Sequence, residues 1–217
     1  MTARARVVAL LAGAALTVGC SPQRPDYQAI WTTSSTAAAE ATSTEVPVPV
    51  ATYLEHNGVG AEQVAPSSLT DLTVSIPTPP GWSKRENAQL AAGTQVIGKG
   101  DRKYPSAILT VFKLTGAVKP EEIVKHGFAD AELARNFRRL DASTDDYQGF
   151  PSAMIQGSHD LGDQRLHTWF RMVVATGSPP DGQHYLVQLT IVSLADQAVQ
   201  QAADIETIIN GFTVAAK

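Results

Sequence analysis

Five histidines (His56, His126, His159, His167 and His184) and one cysteine, Cys20, are the side chains best suited to bind a metal or attack a carbonyl. No H-E-x-x-H or H-x-x-E-H spacing occurs, and a lone Cys offers no sulfur pair for a zinc site or an internal disulfide. His159-Asp160 and His167 can approach one another across an expected hairpin, but they read better as hairpin polars than as ligands. Gly157-Ser158-His159-Asp160 contains the three residue types of a hydrolytic triad in a row. Consecutive strand residues point to opposite faces, so these three cannot converge. No G-x-S-x-G elbow is present. Gly98-Lys99-Gly100 lacks the later glycine and opens no helix, so it reads as a turn and not as a phosphate cradle. Residues 141–149 are acidic without the alternation of a calcium loop. No metal, no cofactor and no catalytic set is expected.

A binding face is easier to argue. In Arg165-Leu166-His167-Thr168-Trp169-Phe170-Arg171-Met172, the odd positions Arg165, His167, Trp169 and Arg171 share one side of a strand. The even positions are mostly apolar and are expected to face the core. Two Arg, a His and a Trp can stack on and hydrogen-bond a sugar or lipid headgroup, or anchor a protein. The plainer alternative is a solvated face on which Trp169 lies under a helix with the Arg stems over its ring.

Cys20 carries a different chemistry. Arg4 and Arg6 precede an apolar run over residues 7–18, too short for the roughly 20 residues of a membrane-spanning helix. Thr17-Val18-Gly19-Cys20 then reads as a lipobox, although Leu is usual where Thr17 stands. Residues 1–19 are expected to be a signal peptide, with cleavage before Cys20 and acyl chains on its thiol. More than one chain makes the anchor stable, since one alone is marginal. An ordinary signal peptide with an incidental Cys is the competing reading; its position at the cleavage point and nowhere else favours lipidation. The expected location is the cell membrane, lipid-anchored, on the extracytoplasmic side. Residues 20–48, rich in Ser, Thr, Ala and Pro, form the expected disordered tether, and residues 49–217 the globular domain.

The formal net charge is −4, and without Arg4 and Arg6 the balance is 15 basic to 21 acidic residues. Such a chain, without a Lys/Arg run, offers nucleic acid no footing. Hydrophobic residues at 43% suffice for a core.

The elements that must position these groups follow from periodicity. A short helix over 51–57 ends at Gly58. Strands are expected over 69–76, 94–98, 107–114, 138–143, 150–158, 166–175 and 183–193, with Gly162-Asp163 joining two of them. Trp82, after Pro-Pro-Gly, reads as a core plug. A helix starts at Pro120 and, after a break, resumes over 131–137. The last helix carries Leu194, Ala198, Val199, Ala202, Ile205, Ile208 and Ile209 as one apolar stripe, ended by Gly211. Short turns imply an antiparallel sheet. Apolar residues on both sides of strands 107–114 and 183–193 imply helices on both faces, an α/β/α sandwich of the α+β class.

The order of several segments resembles the LpqN/LpqT lipoproteins of actinobacteria, known from mycobacterial envelopes. The matching stretches are Tyr53-Leu54-Glu55-His56-Asn57-Gly58, Ile76-Pro77-Thr78-Pro79-Pro80-Gly81-Trp82, Gly149-Phe150-Pro151-Ser152-Ala153 and Tyr185-Leu186-Val187-Gln188-Leu189. The resemblance implies a PsbP/Mog1-like fold and a non-enzymatic adaptor held at the membrane by its lipid anchor. The partner it implies is an envelope protein or (glyco)lipid. It carries over no functional residue beyond Cys20. A hydrolase or transferase acting on envelope lipids is the alternative, and would need scattered His, Ser and Asp to converge.

Overall fold

The computed structural model describes residues 46–86 and 90–217; the expected signal peptide, Cys20 and nearly all of the tether lie outside them. α1 (Val50–His56) closes with Gly58 at φ +65°, a conformation that costs glycine nothing. Gly58 N–H donates to Glu55 O and Val59 N–H to Leu54 O, the paired bonds of a Schellman cap. The same turn brings buried Val59 against buried Leu54.

The main sheet is antiparallel throughout. Its strands are β3 (Trp82–Lys84), β4 (Gln95–Lys99), β5 (Ser106–Thr115), β9 (His184–Leu194), β8 (Gln164–Thr176), β7 (Ser152–Leu161) and β6 (Arg138–Ser143), in that spatial order. β1 (Gly60–Val64) shares the outer edge of β5 with β4: β4 pairs with Ser106 to Leu109, β1 with Val111 to Thr115. Gly162 at φ +63° and Asp163 turn β7 into β8, with Leu161 opposite Gln164. A glycine first in a two-residue hairpin loop matches the right-handed twist of its strands.

One face of the sheet is covered over most of its width. Leu109 and Val111 of β5, Val187, Leu189 and Ile191 of β9, and Trp169 and Val173 of β8 pack against Ile205 and Ile208 of α4 (Ala198–Gly211). A separate ribbon of β2 (Leu72–Ser75) and β10 (Thr213–Ala216) completes this layer, with Val74 opposite Val214. The opposite face carries α1, α2 (Pro120–Val124) and α3 (Ala129–Glu132). There Leu114, Leu186, Met172 and Val174 meet Val50, Leu54, Ile123 and Val124. The α+β sandwich with helices on both faces is the architecture expected.

Details differ from expectation. The 69–76 strand is shorter and sits in the ribbon, because its partner is β10, a four-residue strand after Gly211 with no turn signal of its own. The helix expected over 131–137 is α3 alone, a single turn. Leu194 ends β9 instead of starting α4, and Val199 is 45% exposed, off the apolar stripe.

Candidate functional site

The helical layer over the second face is small: α2 and α3 have five and four residues. Sheet residues beyond their reach stay half-buried, among them Ile108, Phe112, Phe170, Thr190 and Val192. The result is a trough across the strands made of three neighbouring compartments that share lining residues. The first, about 340 Å³, lies beside α1, with Leu54, Val59, Phe112 and Leu186 in its walls. The second, about 320 Å³, lies beneath α3 and the following turn, between Ala131, Ala134, Phe137, Ile155 and Phe170. The third, about 520 Å³, is floored by Val96, Ile108, Leu166 and Val192, with Arg85 and Lys103 in its walls. Gln188 borders the first two compartments, while His159, Thr168 and Thr190 border the second and third.

Most polar side chains of the trough's floor gather at its middle, while Glu55 borders the first compartment and Arg85, Glu86 and Lys103 stand in the walls of the third. Phe170 of β8 stands opposite Thr190 of β9, Met172 opposite Gln188, and Gly157 of β7 opposite Thr168. Gln188, Thr190, Thr168 and His159 therefore form a diagonal stripe over three neighbouring strands. Thr168 Oγ1 is shut off from solvent and finds no hydrogen-bond partner. Burial, with the nearby Arg165 guanidinium, pulls the His159 imidazole below its ordinary range. Asp130, at the rim, is raised by burial. Both shifts penalise a charge in this part of the cleft.

Arg165, His167, Trp169 and Arg171 do share one side of β8, but it is the side under α4. Trp169 is 4% exposed and His167 is 1% exposed, so neither is open to a ligand. The odd positions as well as the even ones thus face a core, and Trp169 lies under α4 as the plainer alternative had it. His167 Nε2 lies 2.8 Å from Gln156 Nε2, and Nδ1 lies 3.4 Å from Ser193 Oγ. Burial drops its pKa to about 4. Arg165 donates to Asp160 at 2.7 Å and to Ser158 at 2.8 Å. The Arg171 guanidinium lies 4.4 Å from the Tyr147 ring centroid and 5.6 Å from that of Trp169, and donates to Ser152 Oγ. Trp82 is buried, and Nε1 donates to Asp204 Oδ2.

Ser158 and Asp160 project to the α4 side and His159 to the cleft, so the three triad residue types stay apart. His159 and His167 likewise end on opposite faces. Among the described residues, no group of three His, Cys, Asp or Glu side chains converges as a metal site. No described helix is long and apolar enough to cross a membrane.

Of the stripe residues only His159 was singled out by sequence, and it was read as a hairpin polar. The trace of the others was the interruption of apolar positions by Thr168, Gln188 and Thr190 on faces otherwise expected to be core.

The family model described as "Probable lipoprotein LpqN" matches residues 46–215, which covers the whole domain just described. The chain belongs to the LpqN lipoprotein family. Its relatives include the lipoprotein LpqT of Mycobacterium tuberculosis, 59% identical over 200 residues, covering 92% of this chain and 88% of that one. LpqT of Mycobacterium leprae is 54% identical over 200 residues, with coverage of 92% and 90%. The crystal structure of LpqN of M. tuberculosis, described as involved in cell envelope biogenesis, superposes with a TM-score of 0.66 at 18% identity. It covers 78% of this chain and 99% of that one. At that identity the likeness concerns the fold.

Proposed function

We propose that this LpqN-family protein is a non-enzymatic envelope lipoprotein whose domain takes up the hydrocarbon of an envelope amphiphile in the cleft. The observation that carries the reading is an apolar trough of adjoining compartments left open on one sheet face, while the other face packs beneath α4 and the β2–β10 ribbon. Exposed apolar floor such as Phe112, Phe170, Ile108 and Val192 is costly in water, and covering it with hydrocarbon returns about 25 cal/mol per Å². Pockets of 300 to 1,000 Å³ are the usual size for small ligands.

In this reading residues 1–19 are removed, Cys20 is acylated, and residues 20–48 tether the 49–217 domain on the extracytoplasmic side. A flexible tether of that length spans about 30 Å, which keeps the cleft within reach of the bilayer. The involvement of M. tuberculosis LpqN in cell envelope biogenesis fits such a protein. The test is mass spectrometry of lipids retained by the purified mature chain, carrying Cys20→Ser, after exposure to an envelope lipid extract. Retained intact amphiphile supports the proposal. Recovery of only hydrolysed or transferred products would point to an enzyme, and no retention beside a crosslinked protein neighbour would point to a protein adaptor.

A further inference from the structure

The cleft is not uniformly apolar, and the placement of its polar residues restricts what can fill it. The first compartment is walled by Leu54, Val59, Phe112 and Leu186, and the third is floored by Val96, Ile108, Leu166 and Val192. Between them runs the Gln188–Thr190–Thr168–His159 stripe. We infer that the occupant carries an internal hydrogen-bonding group, neutral and of hydroxyl or ester type, with hydrocarbon extending from it in both directions.

The argument starts from what an uninterrupted alkyl chain would do. Laid through all three compartments, it would cover the stripe with methylene groups and strip water from Gln188, Thr190 and His159. A buried donor or acceptor left without a partner loses more than a formed hydrogen bond returns. One hydroxyl on the stripe, Thr168 Oγ1, already lacks a partner while hidden from solvent. A change of about 120° in χ1 to another staggered well carries the hydroxyl into the methyl's place and turns the oxygen toward the cleft. A group that both donates and accepts, placed over Thr168 and Thr190, satisfies the stripe and leaves hydrocarbon to both arms. A charged head is a poor match here, since burial disfavours the charged forms of His159 and Asp130. The third compartment, which shares His159, Thr168 and Thr190 with the second, sets the cations Arg85 and Lys103 in its wall beside the acidic Glu86 and so carries charges of both signs.

The inference rests on the proposed amphiphile-binding role, and the two are separable by one matched pair of probes. Stearate and a hydroxystearate with its hydroxyl at mid-chain differ only in the internal group. Binding of each to the mature Cys20→Ser chain is measured by calorimetry, below the concentration at which either forms micelles. The expected result is a preference of about five- to tenfold for the hydroxylated chain, the range of one net hydrogen bond. In Thr168→Val and Thr190→Val, both close in shape to the parent, the ratio should fall toward one while thermal melting shows a folded protein. Equal binding of the two probes by the parent chain overturns the inference and leaves the amphiphile reading standing. A preference that survives in both valine variants overturns the assignment to the stripe. Failure of both probes to bind overturns the inference and the proposed function together.

Discussion

Trp82 Nε1 donates a hydrogen bond of 3.0 Å to Asp204 Oδ2, and Lys99 Nζ meets the same oxygen at 2.7 Å. A carboxylate of α4 thereby clamps the edge strand β3 to its neighbour β4, with which it otherwise pairs only through Trp82, Ser83 and Lys84. Burial pushes the Asp204 carboxyl up, but the bonds from Lys99 and Trp82 outweigh it and hold the group below the ordinary carboxylate range.

Asp204→Ala should cost about 1–3 kcal/mol in urea unfolding, because it leaves the buried indole N–H without its acceptor. Lys99→Met should cost less than about 1 kcal/mol, as its side chain is 47% exposed and screened by water. The clamp's contribution is present above the unfolded carboxyl pKa of about 3.9 and is lost as pH falls below it. Equal costs for the two variants would contradict the clamp.

His167 supplies a second pH dependence, in a higher window. Its folded pKa of about 4 lies below the ordinary 6.5, so between those values the unfolded chain binds the proton first. Stability is therefore full above pH 6.5 and declines toward pH 4, by on the order of 3 kcal/mol for this group. Urea midpoints at pH 7.5 and 4.5 measure the loss. His167→Gln, which keeps a partner for Gln156, should remove most of it.

Gly127, at the approach to α3, sits where a Cβ would lie 2.4 Å from Ala153 Cβ and 3.0 Å from Met172 Cε. Gly127→Ala should destabilise by about 1–3 kcal/mol through overpacking, measured by thermal melting. A neutral result would mean that this junction floats above the sheet.

Ala134 borders the central compartment and is only half-buried. Ala134→Trp should fill that compartment and weaken amphiphile binding at least about tenfold, some 1.4 kcal/mol, with melting nearly unchanged. Calorimetric titration decides it.

Much of the fold was legible because its signals are local. Runs of β-branched and apolar residues gave strands near β5 and β9, alternation the two sides of β8, Gly162-Asp163 the β7–β8 hairpin, and the spacing of Ala198, Ile205 and Ile208 gave α4. Partner choice was not local: Leu72 to Ser75 read as a strand, but its pairing with residues 213–216 is set by tertiary packing. The side of β8 that carries His167 and Trp169 was also legible, whereas its coverage depends on where α4 lands. The cleft was the least legible feature. It exists because α2 and α3 are too short to cover the sheet, so Thr168 and Thr190 look like flaws in a core until that shortness is known.

The most direct test of the account is a crystal structure of the mature Cys20→Ser chain grown with the mid-chain hydroxystearate. The account predicts hydrocarbon density running from Leu54 past Phe170 to Val192, with the hydroxyl within hydrogen-bond reach of Thr168 or Thr190. An empty cleft with the amphiphile bound elsewhere would contradict it.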